Sequence, residues 1–177
     1  MSNVARLLAS LANGATLFAG NAEQKLARLR AELALLAARY DVVVANPPYM
    51  GESNMNRWVA GWVKKAYPSA KRDICTCFIK RGGAYVKERG YVSMITASSW
   101  MFISSFEQFR KELLASGSIC SMIQQSAHGY AGVTVPTTMF VFADSQPGIV
   151  GSYIRLEDFD RPQWQEEKTS KSPTISR

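Results

Sequence analysis

The sequence predicts an α/β fold whose sheet is mostly parallel with an antiparallel edge, and three observations lead to this prediction. First, short apolar runs that suit strands alternate along the chain with segments of helical periodicity. Second, residues 42–45 form an uninterrupted apolar run, which is typical of a strand buried on both faces in a parallel sheet. Third, the last two predicted strands follow one another without a helix between them, which indicates an antiparallel edge.

The first predicted helix covers residues 22–39, because leucines recur there at helical spacing. Tyr40 and Asp41 lead into the first strand, at residues 42–45. Two prolines end this strand, since neither can donate to a strand ladder and each fixes its own φ. Residues 50–72 then form a basic connection that is partly helical.

Trp58 and Trp62 lie four residues apart in this connection, so a helix places them on one face. Two interpretations are open. With the neighbouring lysines and Arg72, the two rings suit contact with a phosphate backbone. Alternatively, they belong to a helix face that covers the core and has a solvated basic rim.

The remaining elements follow from the same rules. Residues 73–88 are predicted to be a helix that Gly82 and Gly83 weaken, and residues 88–90 a turn. Gly117 is expected to end a further helix at residues 105–115. Strands are predicted at 91–96, 118–124 and 137–143, with a short edge strand at 150–154 paired to the strand before it.

The charge distribution favours a polyanionic partner. The net charge is +7, from 21 basic and 14 acidic residues. Between Arg57 and Lys111, eleven basic residues stand against three acids. A basic middle is typical of a surface that binds nucleic acid, although lysine-rich helices with a solvated face give the same count.

The cysteines and the single histidine argue against a disulfide-stabilised protein and against a typical zinc protein. Three cysteines with one Cys-x-Cys spacing do not form a disulfide framework, and one histidine is too few for a typical zinc site. The cysteines lie in apolar contexts, as small core residues do in a reducing compartment. No apolar run is long enough to cross a membrane, so we expect a cytoplasmic protein.

The most informative feature is the sequence Asn46-Pro47-Pro48-Tyr49, which directly follows the first strand. Open α/β sheets bind ligands at the carboxyl ends of their strands. The Asn46 carboxamide oxygen and the Pro47 carbonyl are two acceptors that can stabilise charge developing on an exocyclic amine, while Tyr49 can stack on its ring. The alternative is an ordinary strand that ends in a Pro-Pro turn.

On these residues the chain resembles the DNA adenine N6-methyltransferases. Residues 41–49 are similar to motif IV of that family, and residues 73–78 and 90–100 resemble the blocks that follow it. Within the family, the Tyr49-Met50-Gly51 sequence and the run at 100–102 are most similar to the large methyltransferases of BREX-type phage-defence systems. The resemblance covers residues 40–155.

The resemblance implies a partial Rossmann-like class I methyltransferase sheet, S-adenosylmethionine as cofactor and double-stranded DNA as substrate. It assigns catalysis to Asn46, Pro47, Pro48 and Tyr49. It also assigns cofactor binding to Phe78 and Asp73, and stacking on a flipped base to Tyr49 and Tyr130. From the residues alone, Phe78 also suits a core position, Asp73 a helix N-cap and Tyr130 a mobile surface ring. Trp100 suits a packing position.

The resemblance also implies that the first strands of the sheet are missing. Residues 13–20 contain two glycines, but no strand precedes them, so we do not expect the cofactor loop there. The expected organisation is a helical segment at 1–40, the C-terminal half of the catalytic domain at 41–155 and a polar, flexible tail at 156–177. We therefore expect a fragment that is inactive alone and is completed by an N-terminal methyltransferase half or by other defence-system subunits.

The leading hypothesis is thus a fragment of an adenine-specific DNA methyltransferase that acts in phage defence or restriction-modification. Two alternatives stay open. An amino-methyltransferase that acts on RNA or on a protein amide would use the same turn. A non-catalytic nucleic-acid-binding or assembly module would keep the turn only as scaffold.

Overall fold

The structure is a computed structural model, and it describes residues 21–127 and 134–156. The chain divides into two compact units, Met1–Arg39 and Tyr40–Arg177. In the first unit, helix α1 spans Asn21–Ala37, which confirms the first predicted helix. No helix among the described residues is long and apolar enough to span a membrane.

The second unit alternates strands with helices, as predicted. Its strands and helices are β1 (Tyr40–Ala45), α2 (Arg57–Ala66), α3 (Ile74–Tyr85), β2 (Val86–Ala97), α4 (Ser99–Phe102), α5 (Glu107–Ser116), β3 (Gly117–Gln125), β4 (Thr137–Asp144) and β5 (Ser152–Arg155). Single turns of 3₁₀-helix at Glu52–Asn54 and Ser104–Phe106 precede α2 and α5.

The five strands form one sheet in the order β1-β2-β4-β3-β5. β1 and β2 pair in parallel, and so do β3 and β5, whereas β4 is antiparallel to both of its neighbours. The predicted α/β class, with a mixed and mostly parallel sheet, is confirmed. The antiparallel strand lies third among the five, and the short edge strand β5 pairs with β3 rather than with β4, contrary to the predicted pairing.

One face of the sheet holds the main core. Val92 and Met94 of β2 lie beside Phe142 and Phe140 of β4, and all four are buried. α3 packs closely on this face, where a Cβ at Gly82 would lie 2.7 Å from the Met94 side chain. Phe109 and Leu113 of α5 belong to the same buried cluster.

β1 is not buried on both faces, so that prediction is wrong. Val43 and Ala45 pack against the core, but Val42 and Val44 are 53% and 74% exposed. β1 is the end strand of the described sheet, and the side chains that pack against the core are those of Val43 and Ala45. The apolar run therefore consists of residues that face the core alternating with residues that are exposed in this structure.

The predicted turn at 88–90 lies inside β2 as an irregularity. The register passes from Tyr40 opposite Val86 to Val42 opposite Tyr91, so β2 carries extra residues there. Arg89 adopts φ 65°, and a Cβ at Gly90 would lie 2.8 Å from the Asp41 carbonyl oxygen. The strand thus starts earlier than predicted, and α3 ends at Tyr85 rather than at residue 88.

α2 contacts the core through a different face from the one predicted. Val63 is fully buried, and Val59 and Ala60 pack against the core. Trp58 and Trp62 are 77% and 51% exposed. The interpretation that the two tryptophans cover the core is therefore wrong.

Candidate active site

The Asn-Pro-Pro-Tyr turn (residues 46–49) begins where β1 ends. Ala45 is the register partner of Met94, so β1 and β2 run towards the same edge of the sheet. Pro47 is buried and anchors the turn, whereas the Asn46 side chain is exposed. The prediction that the turn follows a strand of a parallel pair is confirmed, and the carboxamide is accessible at this edge.

Tyr49 orients the carboxamide of Asn46. The Tyr49 hydroxyl donates a hydrogen bond of 3.3 Å to Asn46 Oδ1, and the Tyr49 ring is half-buried. This bond is long for a hydroxyl donor, so it biases the carboxamide rather than locking it. A carbonyl oxygen has a second lone pair, with which Asn46 can accept a hydrogen from a ligand.

Asp73 joins the turn to the start of α3. Its Oδ1 accepts hydrogen bonds from the backbone N–H of Cys75 at 2.9 Å and from that of Met50 at 3.2 Å. Ile74 N–H donates to the Met50 carbonyl at 3.0 Å, so residue 50 is held from both sides. Asp73 is thus the N-cap of α3, the structural alternative named for it, and its cofactor role stays a prediction.

Phe78 lies one helical turn beyond Ile74 on α3. Its neighbours Cys77 and Ile79 are buried, but the Phe78 ring is 43% exposed. The alternative of a core position is therefore wrong for Phe78. An exposed ring is available to stack on a planar ligand, and the cofactor role of Phe78 stays a prediction.

Tyr130 lies outside the described residues. β3 ends at Gln125 and β4 begins at Thr137, and Ser98 N–H donates to the Pro136 carbonyl at 3.0 Å. β3 therefore ends, and β4 begins, at the edge of the sheet where β2 ends. The stacking role of Tyr130 stays a prediction.

Buried polar side chains at this edge were not predicted. Thr96, Thr137 and Thr138 are fully buried, and Ser98 and Gln124 are nearly so. The Trp100 indole N–H donates to Thr96 Oγ1 at 2.9 Å, and its ring packs edge-on against Phe109 and Phe140. Trp100 is thus a packing residue, as expected. Threonines at the ends of two neighbouring strands were the sequence feature from which these buried polar side chains could have been predicted.

The two buried cysteines offer no nucleophile. Burial, with a smaller contribution from Asp73, raises the pKa of the Cys77 thiol to about 11, and the same causes raise the pKa of Cys75 further. Thiols with raised pKa values are protonated at neutral pH and unreactive. Among the described residues, no group of three His, Cys, Asp or Glu side chains is placed to hold a metal ion.

Comparison with known proteins agrees with this geometry. Residues 10–129 match the model of the Eco57I restriction-modification methylase family. The adenine-specific methyltransferase PglX of Lacticaseibacillus casei (strain Zhang) is 39% identical over 129 residues, which is 71% of this chain. The adenine-specific methyltransferase BrxX of Escherichia coli O9:H4 (strain HS) is 37% identical over 128 residues, or 70% of this chain. The chain spans 11% of the length of each relative.

Two solved structures share the fold. The DrdV–DNA complex superposes with a TM-score of 0.59 at 21% identity, over 82% of this chain and 17% of that one. A protein of Listeria monocytogenes, described as a class I S-adenosylmethionine-dependent methyltransferase, superposes with a TM-score of 0.54 at 17% identity. The match covers 82% of this chain and 50% of that one. The sheet, the turn and the family match together show that this chain belongs to the Eco57I restriction-modification methylase family.

Proposed function

We propose that this chain supplies the amine-binding wall of a site that methylates N6 of a flipped adenine in double-stranded DNA. The observation that carries the proposal is the Asn46 carboxamide, which is exposed at the end of a parallel strand and oriented by Tyr49. The adenine-specific names of two relatives above 35% identity support the choice of base. The basic net charge of +7 supports a nucleic-acid substrate.

In this proposal the turn acts by hydrogen bonding alone. The lone pair of an exocyclic amine is delocalised into the ring, so the nitrogen is a poor nucleophile. Asn46 Oδ1 and the Pro47 carbonyl oxygen each accept a hydrogen bond from the amine. These two bonds stabilise the positive charge that develops on the nitrogen. Pro48 stiffens the turn, and the rings of Tyr49 and Tyr130 hold the base in plane.

S-adenosylmethionine, when bound, supplies the electrophilic methyl group for this reaction. The described residues fit one part of it, because the exposed Phe78 ring offers a stacking face for a purine. Asp73 contributes by fixing the start of the Phe78 helix, and its carboxylate is already engaged by two backbone amides. We therefore assign contact with the cofactor to Phe78 and orientation of that contact to Asp73.

The proposal places residues 41–155 in the C-terminal half of a catalytic domain, after an N-terminal helical segment at 1–40 and before a tail at 156–177. A complementing N-terminal half is the proposed partner, with other defence-system subunits as further candidates. The exposed valines of β1 support this pairing, because they give the end strand of the described sheet an apolar side-chain surface.

A chimera tests the proposal. Residues 40–155 would replace the matching segment of the E. coli BrxX relative, and N6-methyladenine in host DNA would be mapped by sequencing. We expect methylation by this chimera, and a loss of at least about a hundredfold with Asn46→Ala. Asn54→Ala, the same change at an exposed asparagine outside the turn, is the matched control and should leave methylation intact.

Three results would contradict the proposal. If the Asn46→Ala chimera methylates DNA as well as the unsubstituted chimera, the turn has only a structural role. Transfer of labelled methyl to RNA or protein instead of DNA would make the substrate assignment wrong. Robust methylation of adenine by the purified 177-residue chain would show that no complementing half is needed.

A further inference from the structure

An aromatic and basic cleft lies on the exposed face of α2. Five residues line it: Arg57, Trp58, Gly61, Trp62 and Lys65. The two tryptophans are one turn apart, and the cleft that the five residues line has a volume of about 560 Å³. The α2 cleft is not used by the proposed methyl transfer, and two exposed indole rings on one short helix are an unusual apolar surface.

The helix beneath the cleft is firmly held. Asn56 caps its start, with Oδ1 accepting from Val59 N–H at 2.8 Å, and Val63 is fully buried in the core. The Trp62 ring packs edge-on against Tyr67 with centroids 5.6 Å apart. The exposure of the two rings is therefore a property of a fixed helix face.

Gly61 lies at the floor of the cleft without a packing reason. Apart from its two chain neighbours and the backbone of its own helix, a Cβ there would have no described heavy atom within 4 Å, so the fold has room for a small side chain. Glycine inside a helix is less stable than alanine by about 1 kcal/mol. Its presence leaves open space between Trp58 and Trp62, where a flat group can approach the helix backbone.

The charges around the cleft select the ligand. α2 contains no acidic residue, and none of the salt bridges between described residues involves Arg57, Lys64 or Lys65. The basic residues therefore favour an anionic ligand. The two tryptophans favour a ligand with planar groups, which can stack on indole rings. Nucleic acid with unpaired bases has both properties, whereas a paired duplex hides the faces of its bases.

We propose that the α2 cleft binds a single-stranded segment of DNA, with bases stacked on Trp58 and Trp62 and phosphates near Arg57 and Lys65. The choice of DNA rests on the proposed function, in which the substrate is DNA and flipping the target adenine leaves its partner base unpaired. The stacking and charge arguments rest on α2 alone. The cleft would hold unpaired DNA bases while the Asn-Pro-Pro-Tyr turn holds the target amine.

Binding by the purified 177-residue chain tests the inference without any methyl transfer. Fluorescein-labelled single-stranded DNA of mixed sequence, its duplex and polyglutamate would be compared by fluorescence anisotropy over a range of salt concentrations. We expect the single strand to bind more tightly than the duplex, and polyglutamate not to compete. Trp58→Ala and Trp62→Ala should each weaken single-strand binding by at least about fivefold.

Two further variants separate stacking from charge. Gly61→Leu fills the cleft with a helix-favouring side chain and should weaken binding while the circular dichroism of the chain is unchanged. Arg57→Gln with Lys65→Gln should lower the salt slope for the single strand by about 1.4. Lys25→Gln with Lys111→Gln removes the same charge from exposed positions elsewhere and should change the slope by less.

The inference is overturned if the tryptophan and Gly61→Leu variants bind single-stranded DNA as the parent does. It is also overturned if polyglutamate competes equally, which would make the cleft a general anion surface. Failure of the proposed function looks different: the chimera would not methylate DNA, while the purified chain still binds the single strand through α2.

Discussion

At the scale of single residues, Asp73 joins two separate segments of the chain. One carboxylate oxygen caps α3 and also holds Met50, which is 23 positions earlier in the chain. The backbone bond between Glu52 N–H and the Arg72 carbonyl, 2.9 Å long, supports the same junction. The turn that carries Asn46 is therefore fixed from its far end by the residue that starts the Phe78 helix.

The cap predicts a stability difference between two substitutions at this position. Asp73→Ala should lower the free energy of unfolding by about 1–2 kcal/mol, since it removes an N-cap acceptor and leaves buried N–H groups unpaired. Asp73→Asn keeps a side-chain acceptor and should cost much less. Urea denaturation of both variants measures this, and an equal loss in both would mean that the negative charge, not the cap, matters.

Tyr49 contributes through its hydroxyl and its ring, which mutations can separate. In the BrxX chimera, Tyr49→Phe removes the bond to Asn46 and should lower kcat by about 2- to 13-fold, which corresponds to the net value of one hydrogen bond. Tyr49→Ala also removes the stacking face and should cost more. If Tyr49→Phe is fully active, Asn46 does not depend on the hydroxyl for its orientation.

Some of this site was predictable from neighbouring residues in sequence. Two prolines after an apolar run end a strand, so the position of Asn46 could be inferred from the chain alone. The bond from Met50 to Asp73 could not, because it depends on how two separate segments meet in space. The exposure of Phe78 depends in the same way on which face of α3 meets the sheet.

At the level of elements, Glu112 connects α5 to α3. Its carboxylate forms an ion pair with Lys80 and accepts hydrogen bonds from Ser69 Oγ at 2.6 Å and Gln108 Nε2 at 3.0 Å. The bond from Lys80, then those from Ser69 and Gln108, hold the pKa of Glu112 at about 2. The carboxylate is therefore more stable in the folded chain than in the unfolded one.

This pKa predicts a pH dependence. A lowered carboxyl pKa stabilises the fold above the unfolded value near 4.5, and this contribution is lost as the pH falls towards 2. Because both side chains are about a third exposed, its size at neutral pH should be about 1 kcal/mol. Glu112→Gln should remove it and flatten the stability curve in that window.

The control for Glu112 is Glu107→Gln, which breaks the exposed pair with Lys111 in the same helix. Exposed pairs contribute little, so urea midpoints for Glu107→Gln should stay near those of the parent. Equal pH profiles for the parent and Glu112→Gln would show that the bridge between α5 and α3 does not stabilise the fold.

The order of helices and strands followed from periodicity, but their partners did not. Residues 118–124 and 137–143 were predicted as strands, and the structure places β3 and β4 there. The sequence of β5 does not indicate whether β3 or β4 is its neighbour, since strand pairing depends on the path of the chain. The prediction that β1 is buried on both faces failed for a related reason. An apolar run does not indicate which face of a strand is covered.

At the level of the whole molecule, the described sheet ends in an apolar strand. Val42 and Val44 project from the same side of β1, and Tyr91, the register partner of Val42, is also exposed. This surface suits burial against another polypeptide segment better than contact with water. We expect it to lie in the interface with the complementing half of the catalytic domain.

The interface predicts a substitution that acts only in the larger assembly. Val44→Lys should change the free energy of unfolding of the chain itself by less than about 0.5 kcal/mol, because the side chain is exposed. In the BrxX chimera it would bury a charge and should lower the melting temperature by several degrees. Val150→Lys, at a valine that is 95% exposed, is the matched control for both measurements. Equal shifts for the two variants in the chimera would contradict the interface.

The place of β4 inside the sheet governs the order in which this domain can assemble. β4 is late in the chain, yet it pairs with both β2 and β3, so the β1-β2 pair and β3 share no strand pairing until β4 inserts. Two-stranded ribbons are marginal on their own, and distant pairings form slowly. A ribosome that has not yet released residues 137–144 thus carries one two-stranded pair and a single strand, β3, without its sheet neighbours. The Asn-Pro-Pro-Tyr turn, encoded nearly a hundred residues earlier, thus acquires its final support late in folding.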